Sequence, residues 1–69
     1  MITDIIRIEQ DGYKGAATTD HQTGEIIIMV RRGRNYWRTL MPAEVDKESI
    51  KKAIMWLIDD AKFADTHAN

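Results

Sequence analysis

Apolar positions in this chain recur first at a period of two and then at a period near 3.6, which predicts strands followed by one helix. Over residues 2–9, Ile2, Ile6 and Ile8 fall on one side of an extended chain, with Asp4 the exception. Thr3, Ile5, Arg7 and Glu9 fall on the other. Asp11-Gly12 follows, a strong signal for a type I′ hairpin turn because both of its central positions need positive φ. That turn sets Glu9 opposite Lys14, an opposite-charge cross-strand pair, and sets Gly15 and Ala17 opposite Ile8 and Ile6. Such small residues leave room for a helix to approach. The strand they belong to, about Tyr13 to Thr19, is a weak one by composition.

Asp20-His21-Gln22-Thr23-Gly24 reads as a loop, and a third strand is expected from about Glu25 to Arg31. Gly33-Arg34 suits a type II′ turn, which favours Gly first. The register it implies pairs Val30 with Trp37, Ile28 with Thr39 and Ile26 with Met41 on the core side. Ile27, Met29, Arg31, Tyr36, Arg38 and Leu40 are left on the other. A three-residue loop would move the pairing by one and set Arg38 beside Ile28 on the core side, so the two-residue turn is preferred.

Pro42 ends the strand pattern. Asp46 is a candidate N-cap with Glu48 in the first turn, and Glu48 and Lys52 have the i, i+4 spacing of an ion pair. Ile50, Ala53, Ile54, Leu57, Ile58 and Ala61 form the stripe of an amphipathic helix, with Lys47, Lys51, Lys52, Asp59 and Lys62 on the far side. The expected layout is a single α+β domain over residues 1–69. An antiparallel ββββα meander over 1–41 packs on one helix over 46–64, and a flexible tail covers 65–69. One face of the sheet is left open.

Composition narrows the picture in three ways. A chain of 69 residues sits near the lower limit for a self-sufficient core, so binding or self-association is a natural supplement. The absence of cysteine excludes disulfides and thiolate metal sites and fits a reducing, cytoplasmic compartment. The first residues show neither a basic region nor a long apolar run, so no secretory signal is expected, and no segment approaches the roughly 18 apolar residues of a membrane span. The net charge is −1, but residues 31–38 hold Arg31, Arg32, Arg34 and Arg38 with no acid among them, whereas Glu44, Asp46, Glu48, Asp59, Asp60 and Asp65 all follow that segment. A dedicated nucleic-acid domain is more often strongly basic overall.

Catalytic chemistry finds little footing. His21 falls in a turn and His67 in the expected tail, and neither has a second ligand at metal-binding spacing. Ser49, the only serine, belongs to the first helical turn, and Asp59-Asp60 lie on a solvated helix face. No catalytic residue, metal or cofactor is expected. The sharper signal is the mixture around the second hairpin. Guanidinium groups recognise carboxylate or phosphate in bidentate fashion, although arginines at a hairpin tip also serve to discourage edge pairing. Contiguous exposed apolar residues imply a partner. The candidate partner-binding residues are therefore Ile27, Met29, Arg31, Arg32, Arg34, Tyr36, Arg38 and Leu40. Stacking of two such faces in a symmetric homodimer is one way to cover them. Trp37 is read as core. Trp56 lies at the flank of the helix stripe, with Phe63 one heptad later and Met55 further round; Trp56 and Phe63 either widen the core contact or belong, with Met55, to a second partner-facing strip.

Two resemblances follow from this layout. Tyr13-Lys14-Gly15, Gly24-Glu25-Ile26-Ile27-Ile28, Tyr36-Trp37-Arg38-Thr39-Leu40 and a helix carrying Ala53 and Trp56 resemble the order of elements in AP2-like and integrase arm-binding DNA modules. In those modules a sheet enters the major groove with a helix behind it. The tryptophan usual on their middle strand is missing here. In size and organisation the chain also looks like small phage-encoded accessory proteins, among them anti-CRISPR and other anti-defence inhibitors, a likeness that transfers no functional residues. The leading expectation is a non-enzymatic protein-binding module, an inhibitor that occludes a host protein. The alternative is a sheet-based double-stranded DNA binder.

Overall fold

The computed structural model describes residues 2–42 and 44–67, with side chains from residue 6 onward. Expectations for the side chains of Ile2, Thr3, Asp4 and Ile5, and for tail residues 68–69, lie outside that range. Four strands, β1 (Ile2–Gln10), β2 (Tyr13–Asp20), β3 (Ile26–Arg32) and β4 (Asn35–Met41), form one antiparallel sheet in sequence order, and α1 (Lys47–His67) packs across one face. This is the expected α+β meander.

Turn chemistry sets the register. Asp11 and Gly12 both have positive φ, 54° and 84°, as the I′ turn demands, and Glu9 pairs with Lys14, Ile8 with Gly15 and Ile6 with Ala17. At the second hairpin Gly33 has φ 60° while Arg34 does not enter the positive region, the pattern of a II′ turn. Val30 accordingly pairs with Trp37, Ile28 with Thr39 and Ile26 with Met41. The middle loop is tied by Asp20, whose backbone N–H donates to the Glu25 carbonyl and whose carboxylate accepts from the Gln22 N–H at 2.9 Å. A bulge between Asp4 and Ile6 shifts the β1–β2 pairing by one, so β1 does not keep a single alternation along its length.

The core lies between sheet and helix. Tyr13, Ala17, Ile26, Ile28 and Val30 meet Ile50, Ile54, Leu57, Ile58 and Ala61, flanked by Ile6, Ile8, Trp37, Met41, Val45 and Ala53. Gly15 lets the helix come close: a Cβ there would overlap Ile54 Cγ2 and lie 3.4 Å from Ile58 Cδ1.

Asp46 caps α1, its carboxylate accepting from the Ser49 N–H at 2.8 Å; hydrogen bonding with the Ser49 side chain first, and with its backbone second, holds the Asp46 pKa below the usual carboxylate value. Glu48 lies 4.0 Å from Lys51 in an i, i+3 ion pair, in place of the expected pairing with Lys52. The C-terminal end departs from expectation. Residues 65–67, read as part of a flexible tail, continue the helix to His67. The reason is tertiary. The Tyr13 hydroxyl donates to Asp65 Oδ2 at 2.5 Å, Arg32 Nη1 donates to the same oxygen at 3.3 Å, and the Arg32 guanidinium lies 5.2 Å from the centre of the Tyr13 ring. One turn earlier, Lys62 forms an ion pair with Asp11 in the first hairpin turn. Among the described residues, no helix is long and apolar enough to cross a membrane.

Candidate functional site

With α1 on one face, the outward residues of the strands meet on the other in three cross-strand rows. Glu9, Lys14, Arg31 and Tyr36 form the first; Arg7, Ala16, Met29 and Arg38 the second; Thr18, Ile27 and Leu40 the third. Cations dominate the first two rows and aliphatic groups the third. No described element covers this face. Met29 remains 39% exposed, Leu40 52% and Tyr36 67%, although all three are large apolar-bodied side chains. On a half-buried sheet such positions are ordinarily polar.

Of the sequence candidates, Ile27, Met29, Arg31, Tyr36, Arg38 and Leu40 therefore share one surface. Arg34 is exposed in the turn beside it. Arg32 is set apart. It points to the helix side of the sheet, where Tyr13 and Asp65 hold its guanidinium and raise its pKa, the hydrogen bond to Tyr13 being the larger cause. Its role in the fold is to tie β3 to the last turn of α1. The same carboxylate keeps the Tyr13 proton in place and pushes the phenol above its ordinary pKa.

Trp56 and Phe63 do not widen the core. They are 61% and 62% exposed, and Met55, further round α1, is exposed as well. The helix period puts Trp56 and Phe63 on the side of α1 away from the buried stripe of Ile50, Ile54, Leu57, Ile58 and Ala61. Phe63 stacks on His67 with ring centres 4.0 Å apart, and His67 Nδ1 donates to the Phe63 carbonyl at 2.9 Å. Trp37, read as core, is half-buried against it and packs 6.2 Å from the Tyr13 ring. The helix strip and the open sheet face look in opposite directions, so a flat, rigid partner engages one or the other.

A feature that sequence reading missed lies toward the β1 side of the open face. A trough of about 600 Å³ is lined by Arg7, Glu9, Lys14, Ala16, Thr18, Met29 and Arg31, together with Ile8 and Gly15. Ala16 gives it depth, because a small side chain stands where its row neighbours are long. Thr18 at one end is only 5% exposed, and its hydroxyl has no hydrogen-bond partner among the described residues. Glu9 and Lys14 are paired in register, as expected, but make no ion pair; neither Lys14 nor Arg31 has one among the described residues. The alternation of β1 and the Asp11-Gly12 register held the signal for this trough. It emerges only when three strands are laid side by side.

No protein-family model matches the chain, and no match was found among curated proteins or solved structures.

Proposed function

We propose that the chain is a non-enzymatic protein-binding module that docks through its open sheet face and arginine-bearing hairpin. In this reading it is a cytoplasmic inhibitor of the phage accessory type, which works by occluding a surface of a host protein. The observation that carries the reading is the uncovered face itself, on which Met29, Tyr36 and Leu40 stand exposed beside Arg31 and Arg38. Apolar groups interleaved with arginine match the composition of interface hot spots. Inhibition by occlusion needs shape and charge complementarity alone, which suits a domain of this size.

The test compares three versions of the chain as bait in lysate of the native cell type: wild type, Met29→Ser/Tyr36→Ser/Leu40→Ser, and Trp56→Ser/Phe63→Ser. The expected result is a partner retained by wild type and by the helix variant but lost with the sheet variant. A partner lost only with the helix variant would move the interface to α1. Duplex DNA is the competing ligand, and its binding should weaken steeply with salt, with a log–log slope near one per phosphate contacted. Duplex that binds at low salt and is released by Arg31→Glu/Arg38→Glu would replace the protein-binding reading with a nucleic-acid one.

A further inference from the structure

We infer that the trough over Ala16 is a carboxylate-recognition site, and that its occupant is an acidic segment of a partner protein bearing Asp or Glu next to an apolar side chain. This rests on the reading of the open face as a protein-binding surface and adds to it the chemistry of the partner.

Charge is the first argument. Arg7, Lys14 and Arg31 line the trough and Arg38 stands on β4 opposite Met29, while Glu9 is the sole carboxylate among the described lining residues. The second is register. Lys14 and Arg31 are directly opposed on neighbouring strands, an arrangement of like charges that weakens a sheet. A carboxylate seated over Ala16 relieves that repulsion and lies within reach of both cations, with Thr18 closing one end. The third is the apolar row beside the trough. Ile27 and Leu40, with Met29 at the border, offer contact to aliphatic side chains and none of value to a phosphate backbone. This favours an acidic protein segment over nucleic acid. It also disfavours a face-to-face pair of copies, in which each trough would meet the cations of the other.

The probe is a displayed library of random peptides, selected on the folded full chain and counter-selected on Lys14→Gln/Arg31→Gln. Enriched peptides should be rich in Asp and Glu adjacent to Leu, Ile, Val or Phe. The best of them should bind about tenfold more weakly to Lys14→Gln and lose affinity again when its acids become Gln. Lys14→Gln should fold as well as wild type by circular dichroism, because the one cation it removes is opposed to Arg31 and to Glu9 alike. Enrichment without acidic bias, lost in Met29→Ser/Leu40→Ser, overturns the carboxylate site and leaves the docking face standing. Peptides indifferent to every open-face substitution, or no enrichment at all, overturn both. Duplex DNA that binds as tightly as the best peptide and is lost in the same variants overturns the protein source in favour of phosphate.

Discussion

The two faces of this sheet are made by the same four strands and differ in almost everything else. Along β3 the alternation is plain: Ile26, Ile28 and Val30 are buried under the helix, whereas Met29 and Arg31 look out. On the helix side the residues are branched aliphatics filling a closed space, with glycine and alanine where α1 comes nearest. On the other side long, flexible or cationic residues stand around Ala16, Thr18 and Ile27, and no described element lies over them. The comparison separates two duties. The covered face holds the fold together with little margin, because a domain this small buries little apolar surface. The uncovered face is left free to vary in composition, and it carries apolar and cationic groups that folding does not require.

The comparison breaks most visibly in the core. Ile58→Ala, at a fully buried position, is expected to cost about 2–5 kcal/mol, enough to unfold much of the population of a marginal domain. Urea denaturation followed by circular dichroism reads it. Gly15→Ala should follow at about 1–3 kcal/mol, because the added methyl must displace Ile54 from the close helix–sheet contact. If Gly15→Ala proves neutral while Ile58→Ala does not, α1 sits farther from β2 than described.

The parts of this design that were legible in the sequence are those in which the determining residues are neighbours. Asp11-Gly12 and Gly33-Arg34 specify their turns locally, and each turn then dictates a whole register by the period of two. Asp46 likewise announces the start of α1 within its own first turn. The end of α1 was not legible. Asp65 is held by Tyr13, 52 residues away, so no pattern inside the helix says that residues 65–67 are ordered. The exposure of Trp56 and Phe63, by contrast, is contained in the helix period: at about 100° per residue both stand on the side of α1 away from Ile54, Leu57, Ile58 and Ala61. For the open face, the alternation identified the β3 and β4 contributors. The trough needed β1 and β2 laid beside them, and the bulge in β1 is invisible to a straight count.

The tie that extends the helix makes a pH prediction with a definite sign. The folded state raises the Tyr13 pKa, chiefly through its hydrogen bond to Asp65, so the neutral phenol is the form the fold favours. Its contribution is complete below the unfolded tyrosine value of about 10 and is lost as pH rises through the higher folded value. Alkaline titration of wild type should therefore show a loss of stability that Tyr13→Phe lacks, with Phe uniformly less stable at neutral pH. At the acid end, Asp46 has a depressed pKa, through its bonds to Ser49, and acts in the opposite sense. Its contribution is present above about 4 and is lost as pH falls through the lower folded value. Asp46→Ala should flatten that acid limb, while thermal melts at neutral pH show a weaker helix start.

The smallest expected effects lie on the open face, and there a null result carries the information. Met29→Ser and Leu40→Ser should each change stability by no more than about 0.5 kcal/mol, since neither side chain is held against the core. Lys14→Gln should be close to neutral, because the repulsion it removes from Arg31 is offset by the cation it removes from opposite Glu9. Stability measured by denaturation and affinity measured for a selected peptide or a captured partner should therefore move independently. Residues whose replacement costs binding at no cost in folding mark a surface kept for recognition. Should Lys14→Gln instead lower stability in step with binding, the cation would be part of the architecture, and the division between the two faces would not extend to the trough.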